Sequence, residues 1–556
     1  MKKIFTLSAA ILFSSCALYA AQWTVRKNGT GNGVDEIKAM VTDNAGNVYV
    51  TGNSFSSANG SDYVTIKYNT NGMQQWLASY NGPSNESDNP HAIFVDNAGN
   101  VYVTGASQRI PMSIFDTDAT TIKYNSQGVQ QWVARYDGAQ HKEDAGNAVK
   151  VDANGNVYIT GFTTVSNGAY SRADYLTVKY NASGAQQWVK THNGPGNMGD
   201  VAVGLGLDGA GNIYVTGTDF AGPDPAGEGD FLTIKYSPAG TELWTARFNG
   251  AISEADGACA IAVDNAGNSY VTGSSRLGGI NTDFITIKYN TNGVKLWQAQ
   301  HGGSAGQGDI PSAIAVDNSG NVYVTGTDQK TPYNYDYRTL KYNSSGVLQW
   351  SKRYNGPVSD NDYGNALQVD GSGNVYVTGQ SIGNSFTWDV ATVKYNSSGT
   401  QQWVRRYNGT GNDFDAGYSV AIDGSGNVYV GGSSTGTNSN LDFITIKYNS
   451  SGMRTEEENN NIVENSSHNL FLKNYPNPFV SETTIEYELA EPGNVTVVIC
   501  DVQGKIVRQY HINNTDTGKH TLNLQLPDLK AGYYFCHLTL GDFSESKRMQ
   551  LIKAGE

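Results

Sequence analysis

The chain has 556 residues, 65 of them glycine, only 16% charged residues, and a formal charge of −14. That length exceeds a compact domain of about 100–150 residues, so several domains or a repeat array are required. The acidic balance repels phosphate and excludes nucleic acid as a partner.

Residues 1–20 read as a secretory leader, with Lys2 and Lys3 ahead of an apolar run over 4–13 and small residues at Ala20 and Ala21. The run is too short to span a bilayer, and no transmembrane segment is expected later. A lipoprotein reading competes at Cys16, although Phe13 stands where a lipobox prefers leucine.

From Asp43 the chain repeats itself. Asp43-Asn44-Ala45-Gly46-Asn47-Val48-Tyr49-Val50-Thr51-Gly52 returns seven times, and the closing glycines 52, 105, 161, 217, 273, 326, 379 and 432 are spaced by 53 or 56 residues. A fixed period near fifty signals a solenoid, a propeller or an array. Asp-x-x-Gly-Asn is turn chemistry, because the carboxylate accepts from downstream N–H groups and the glycine supplies positive φ. Val-Tyr-Val-Thr then has the β-branched and aromatic density of a strand. Thr-Ile-Lys-Tyr and a tryptophan ride on the same period and predict a hairpin joining a third strand to a fourth.

Trp23 precedes the first repeat with no third strand before it, and the last Thr-Ile-Lys-Tyr, ending at Tyr448, has no tryptophan after it. Pairing the two orphans completes a blade and removes two exposed sheet edges. The expectation is all-β: an eight-bladed β-propeller of four-stranded blades over 21–452, closed by one N-terminal and three C-terminal strands. These strings resemble the SBBP type of bacterial β-propeller repeat, related in pattern to NHL repeats. The resemblance implies the fold and says nearly nothing about ligand.

Residues 453–469 are acidic and asparagine-rich and read as a linker. Over 470–556, short alternating stretches predict a small Ig-like β-sandwich. Tyr475-Pro476-Asn477-Pro478-Phe479, Asp501-Val502-Gln503-Gly504-Lys505, Leu529-Lys530-Ala531-Gly532-Tyr533-Tyr534 and Met549-Gln550-Leu551-Ile552-Lys553 closely resemble the type A C-terminal sorting domain of the type IX secretion system. That resemblance implies passage through the periplasm to the outer cell surface or beyond, with the secretion machinery as partner of 470–556.

Candidate chemistry is carried by carboxylates and by departures from the repeat. One aspartate stands eight residues before each turn (Asp35, Asp88, Asp144, Asp200, Asp256, Asp309, Asp362, Asp415), and another opens each third strand (Asp62, Asp118, Asp174, Asp230, Asp283, Asp336, Asp389, Asp442). Propeller topology puts both sets on one face, where they form a cation-binding surface or lock their own loops; strict repetition favours locking. No Asp-x-Asp-x-Asp-Gly loop supports calcium, and no cofactor is expected. His192 and His301 stand where other repeats carry aromatics and read as core substitutions. The repeated tryptophans read as packing between blades, and each repeated lysine as pairing with a nearby aspartate or laying its stem along the blade. Aromatics and arginines in the irregular loops between second and third strands mark the ligand-binding candidates: Trp388, Tyr333, Tyr335, Arg172, Tyr170, Phe220 and Arg109. Trp388 leads, being the only tryptophan outside the repeat.

The reading is a monomeric, exported binding or scaffold propeller with a glycan or surface-protein ligand and no catalytic constellation. The alternative is a secreted propeller enzyme, polysaccharide-degrading or quinoprotein-like.

Overall fold

The structure is a computed structural model. It describes residues 23–551 apart from 30–32, 57–59, 111–115, 167–170, 197, 221–228, 251–254, 277–281, 303–307, 332–333, 359, 384, 438–439, 450–461, 465–470, 490–492, 502–505 and 541–542. The expected leader with Cys16 and most of 453–469 lie outside the described residues.

Each repeat opens on the predicted turn. Asp43 Oδ1 accepts from the N–H groups of Ala45 and Asn47 at 3.0 and 2.9 Å, while Oδ2 accepts from Asn47 Nδ2 at 2.7 Å and the Tyr49 hydroxyl at 2.9 Å. Gly46 closes the turn at φ +78°. The carboxylate thus fixes both the turn and the first aromatic of the next strand. In the second repeat the four strands are Asp88–Val95, Val101–Gln108, Thr117–Tyr124 and Gln130–Tyr136, hydrogen-bonded in that order. Val101–Gln108 is buried along its whole length because sheets cover both of its faces, which explains the unbroken β-branched and small residues there.

Seven such sheets follow in sequence, and an eighth is assembled from both ends of the array. Trp23–Lys27 pairs antiparallel with Leu441–Tyr448, from Trp23 opposite Lys447 to Lys27 opposite Phe443. The first strand of each sheet packs against that of the next, and Asp415–Ile422 of the last packs against Asp35–Thr42 of the first, closing a ring. Part of the stretch read as linker pairs with the ring. Ile462–Glu464 adds a parallel fifth strand on Trp23–Lys27, because the outermost strand offers an open backbone edge to a β-branched segment.

Adjacent sheets are joined by the repeated tryptophan. Trp23 Nε1 donates to Thr70 O at 3.0 Å, and Trp76 Nε1 to Ser126 O at 3.1 Å, each in the following blade. The lysine before it lies over a tyrosine ring, as Lys67 does 5.1 Å from the Tyr49 centroid, and Lys179 Nζ reaches Pro238 O at 2.9 Å. Inside the ring, each first strand has a bulge, and in most blades the bulged side chain bonds the next blade. Asn147 Nδ2 donates to Ala202 O at 2.9 Å, Ser312 Oγ to Gly364 O at 2.6 Å and Asn365 Nδ2 to Gly417 O at 2.9 Å. Cys259 occupies such a bulge, donates to Pro311 O at 3.2 Å, and has its thiol pushed by burial up to about 12. It is a packing residue.

The tail forms two antiparallel sheets, one of three strands and one of four. Phe479, Ile485, Tyr487, Val497, Ile499, Leu524 and Leu538 share its core.

Candidate functional site

Both sets of aspartates gather on one face of the ring, and most of their bonds hold loops in place. Asp144 Oδ2 accepts from Gly138 N at 2.6 Å and Oδ1 from Thr164 N at 3.2 Å; Asp362 and Asp415 accept likewise from Gly356 and Gly409 at 2.6 Å. The carboxylate ties the loop entering its blade to the end of the second strand. Burial outweighs these bonds and pushes Asp144, Asp362 and Asp415 up to about 6, and Asp200, beside the Asp219 carboxylate, up to about 7. Among the described residues no three or more ligating side chains come together as a metal group.

In five blades the third-strand aspartate faces an arginine on the fourth strand. Arg135 Nε donates to Asp118 Oδ2 at 2.8 Å, and its Nη atoms bond the Tyr80 hydroxyl, Ser107 Oγ and Ser107 O at 2.9, 2.7 and 3.0 Å. Arg406 repeats this with Asp389, Tyr354 and Ser381. In the fourth and sixth blades a second carboxylate, Asp219 or Asp328, replaces the serine and is paired with Arg247 or with Arg338 and Arg353. His192 Nε2 lies 3.5 Å from Asp219 and packs edge-on to Tyr175, in the place of an aromatic.

The exposed candidates separate cleanly. Tyr170 and Tyr333 lie outside the described residues. Arg109 is held at both ends by Asp116, at 2.7 and 2.7 Å. Arg172 Nε sits 3.5 Å from Asp174. Phe220 ends a second strand; its N–H donates to Asp200 Oδ1 at 2.8 Å and its carbonyl accepts from Gly196. The two arginines are paired with carboxylates, and the main chain of Phe220 helps to hold the face together.

Trp388 and Tyr335 are brought together. They occupy the same register position in neighbouring blades, each just before the third-strand aspartate, and Tyr363 lies between them. Tyr335 and Tyr363 have ring centroids 5.6 Å apart at 31°, and Tyr363 stacks on Trp388 at 5.4 Å and 29°. The result is a ladder of three half-buried rings bridging two blades. Tyr335 N–H donates to Asn361 Oδ1 at 3.2 Å and fixes one end. Next to Trp388, Gly383 N donates to Thr387 O at 2.8 Å and Phe386 N to Gly383 O at 2.9 Å, closing a tight loop. That loop holds Phe386 at φ +59° with 75% of its surface exposed. A bulky residue at positive φ is unusual, and a phenylalanine so exposed is a departure for an acidic surface. Sequence reasoning missed Tyr363. The signal was available: at that register the other repeats carry Glu36, Asn89, Ala145, Val201, Gly257, Ile310 and Ala416, none of them aromatic.

Comparison with known proteins adds family membership to this geometry. Residues 473–553 match the secretion system C-terminal sorting domain. Residues 297–327, 349–387 and 402–438 match the SBBP β-propeller repeat. A WD repeat-containing protein of Acanthamoeba polyphaga mimivirus is 23% identical over 462 residues, covering 66% of this chain and 31% of its own length. The chain thus spans about a third of that relative. Among solved structures, PorZ, a surface component of the type IX secretion system of Porphyromonas gingivalis, is 14% identical, with 93% of this chain and 70% of that one covered and a TM-score of 0.39. A protein of Dyadobacter fermentans is 11% identical, with 68% and 95% covered and a TM-score of 0.35. Likenesses this loose carry no functional argument. The family matches do: the chain carries SBBP-type propeller repeats and a type IX sorting domain, and it is exported to the cell surface or outside. Among the described residues no helix is long and apolar enough to cross a membrane.

Proposed function

We propose that this exported propeller is a glycan-binding protein whose ligand lies across the aromatic ladder Tyr335–Tyr363–Trp388. The carrying observation is the ladder, three rings from two blades stacked at 5.4 and 5.6 Å at a register where the other repeats carry no aromatic. Sugar rings present C–H faces to aromatic faces, and rigid aromatics with few rotamers bind with little ordering cost. The enzymatic alternative has less support: the carboxyl with the most raised pKa, Asp200, is fully buried and bonded to the N–H groups of Gly194 and Phe220 at 2.6 and 2.8 Å.

The test is titration of soluble cell-surface and plant polysaccharide fragments into the purified protein, followed by tryptophan fluorescence and calorimetry. Trp388→Ala and Tyr363→Ala should each weaken binding about tenfold, from the ~0.5–1.5 kcal/mol that aromatic pairing contributes beyond buried area. Both variants should keep the wild-type far-ultraviolet spectrum. Unchanged affinity in both would remove the ladder from the site.

A further inference from the structure

Five blades carry an arginine three residues after the tryptophan: Arg26, Arg135, Arg247, Arg353 and Arg406. Each forms an ion pair with the third-strand aspartate of its own blade, at 2.6 Å for Arg26 with Asp442 and 2.8 Å for Arg135 with Asp118. The first, third and fifth blades have Ser79, Thr191 and Gln300 at that position. In the fifth, Gln300 Nε2 donates to Asp283 at 2.6 Å. In the third, Arg172 of the same strand lies 3.5 Å from Asp174. The first blade has no such substitute. Asp62 forms no ion pair among the described residues, and its Oδ1 is buried without a hydrogen-bond partner there.

In the first blade a pocket stands where the guanidinium is missing. It measures about 270 Å³ and is lined by Asp62, Asp35, Ser54, Ser79, Asn28 and Lys27. In the fifth blade, a pocket of about 400 Å³ is lined by register-equivalent residues, among them Asn249, Ser275 and Gln300, and by Arg247 of the preceding blade. Of the two, only the first-blade pocket is lined by its own third-strand aspartate, since Gln300 holds Asp283 in the fifth. Its shape is known from inside the same molecule: Ser54 stands where Ser107 offers Oγ and O to Arg135, and Asp62 where Asp118 offers its carboxylate.

We propose that the first-blade pocket is a receptor for a guanidinium group, presented as an arginine side chain by a partner protein at the cell surface. The planar fork of an arginine matches this acceptor set, whereas an ammonium is a point charge that uses it poorly. Calcium wants six to eight oxygens, and Asp35 already accepts from the N–H groups of Gly29 and Phe55. Lys27 stands at the pocket edge, where the other repeats carry an aromatic or a histidine.

The probe is agmatine, titrated calorimetrically into the full chain beside cadaverine, N-acetyl-citrulline amide and calcium chloride. Saturable agmatine binding is expected, on the order of a millimolar for a single group, with the three controls at least tenfold weaker. Asp62→Asn should lose that binding. Ser79→Arg should also abolish it and raise the melting temperature, since it restores internally what the ligand supplies. Either no saturable binding by the wild type, undiminished binding by Ser79→Arg, or tighter binding of calcium overturns the proposal. So does binding that emerges only in Lys27→Met, which would make Lys27 the resident cation. Trp388→Ala should leave agmatine binding unchanged, so this site and the aromatic ladder succeed or fail separately.

Discussion

Single glycines show how tightly the repeat specifies itself. Gly128 lies at φ +78° in the hairpin between third and fourth strands, and a Cβ there would come within 2.6 Å of the Trp76 ring of the preceding blade. The position therefore combines a left-handed backbone with a contact that leaves no room. Gly128→Ala should destabilise the ring by ~1–3 kcal/mol, about 1 from conformation and the rest from displacing the indole. Chemical denaturation would measure it, with Gly209→Ala as the reference, where an added Cβ meets nothing within 4 Å. Equal midpoints for the two variants would show that the indole yields freely and that the hairpin glycine is only a turn residue.

At the scale of the element, the closing strand is the place where the ring is held shut. Trp23–Lys27 contributes Arg26, almost wholly buried, whose Nε donates to Asp442 at 2.6 Å and whose Nη2 donates to Ser434 O at 2.9 Å. Removing one partner of a buried pair strands the other, at about 3–5 kcal/mol. Arg26→Ala should therefore raise hydrogen exchange first in Trp23–Lys27 and Leu441–Tyr448, before any other blade. Uniform exchange around the ring would mean that the clasp is no weaker than an ordinary blade. This clasp was legible from two orphan strings, Trp23 and the Thr-Ile-Lys-Tyr ending at Tyr448, because a missing strand leaves a gap in a counted period. The candidate site was only half legible. Trp388 and Tyr335 stand out as exceptions in sequence, but the ring between them, Tyr363, sits in a first strand far from both candidate loops in the repeat. Arg109, Arg172 and Phe220 looked equally exceptional. What separates them is the carboxylate or backbone group each one meets, and that neighbour comes from chain distant in sequence. The bulge side chains were invisible for the same reason, since their shared role rests on position while their identities vary.

Taken as a whole molecule, the ring has two families of aspartate that respond to acid in opposite senses. Asp62, Asp144, Asp362 and Asp415 are pushed up to about 6 and Asp200 to about 7, chiefly because burial disfavours their charge. In the folded state they hold protons that the unfolded chain has released, so stability falls as pH rises through these values. The turn aspartates Asp152, Asp208, Asp264, Asp317 and Asp370 lie below the usual carboxylate value, because Asn and Tyr side chains and backbone N–H groups donate to them despite burial. Their contribution is present at neutral pH and is lost as pH falls below about 4. The two families bracket an optimum. The melting temperature should rise from pH 8 to pH 5 and fall again below about pH 3.5. Release of self-repulsion in a chain of formal charge −14 acts in the same direction over the upper part of that range. Asp415→Asn separates the causes: a neutral amide at that buried position should flatten the rise between pH 5 and 8, while an effect of overall charge would leave it nearly unchanged. A melting temperature that climbs steadily from pH 5 to pH 8 would contradict the assignment, and would mean that these buried carboxylates are charged and paired in the folded ring.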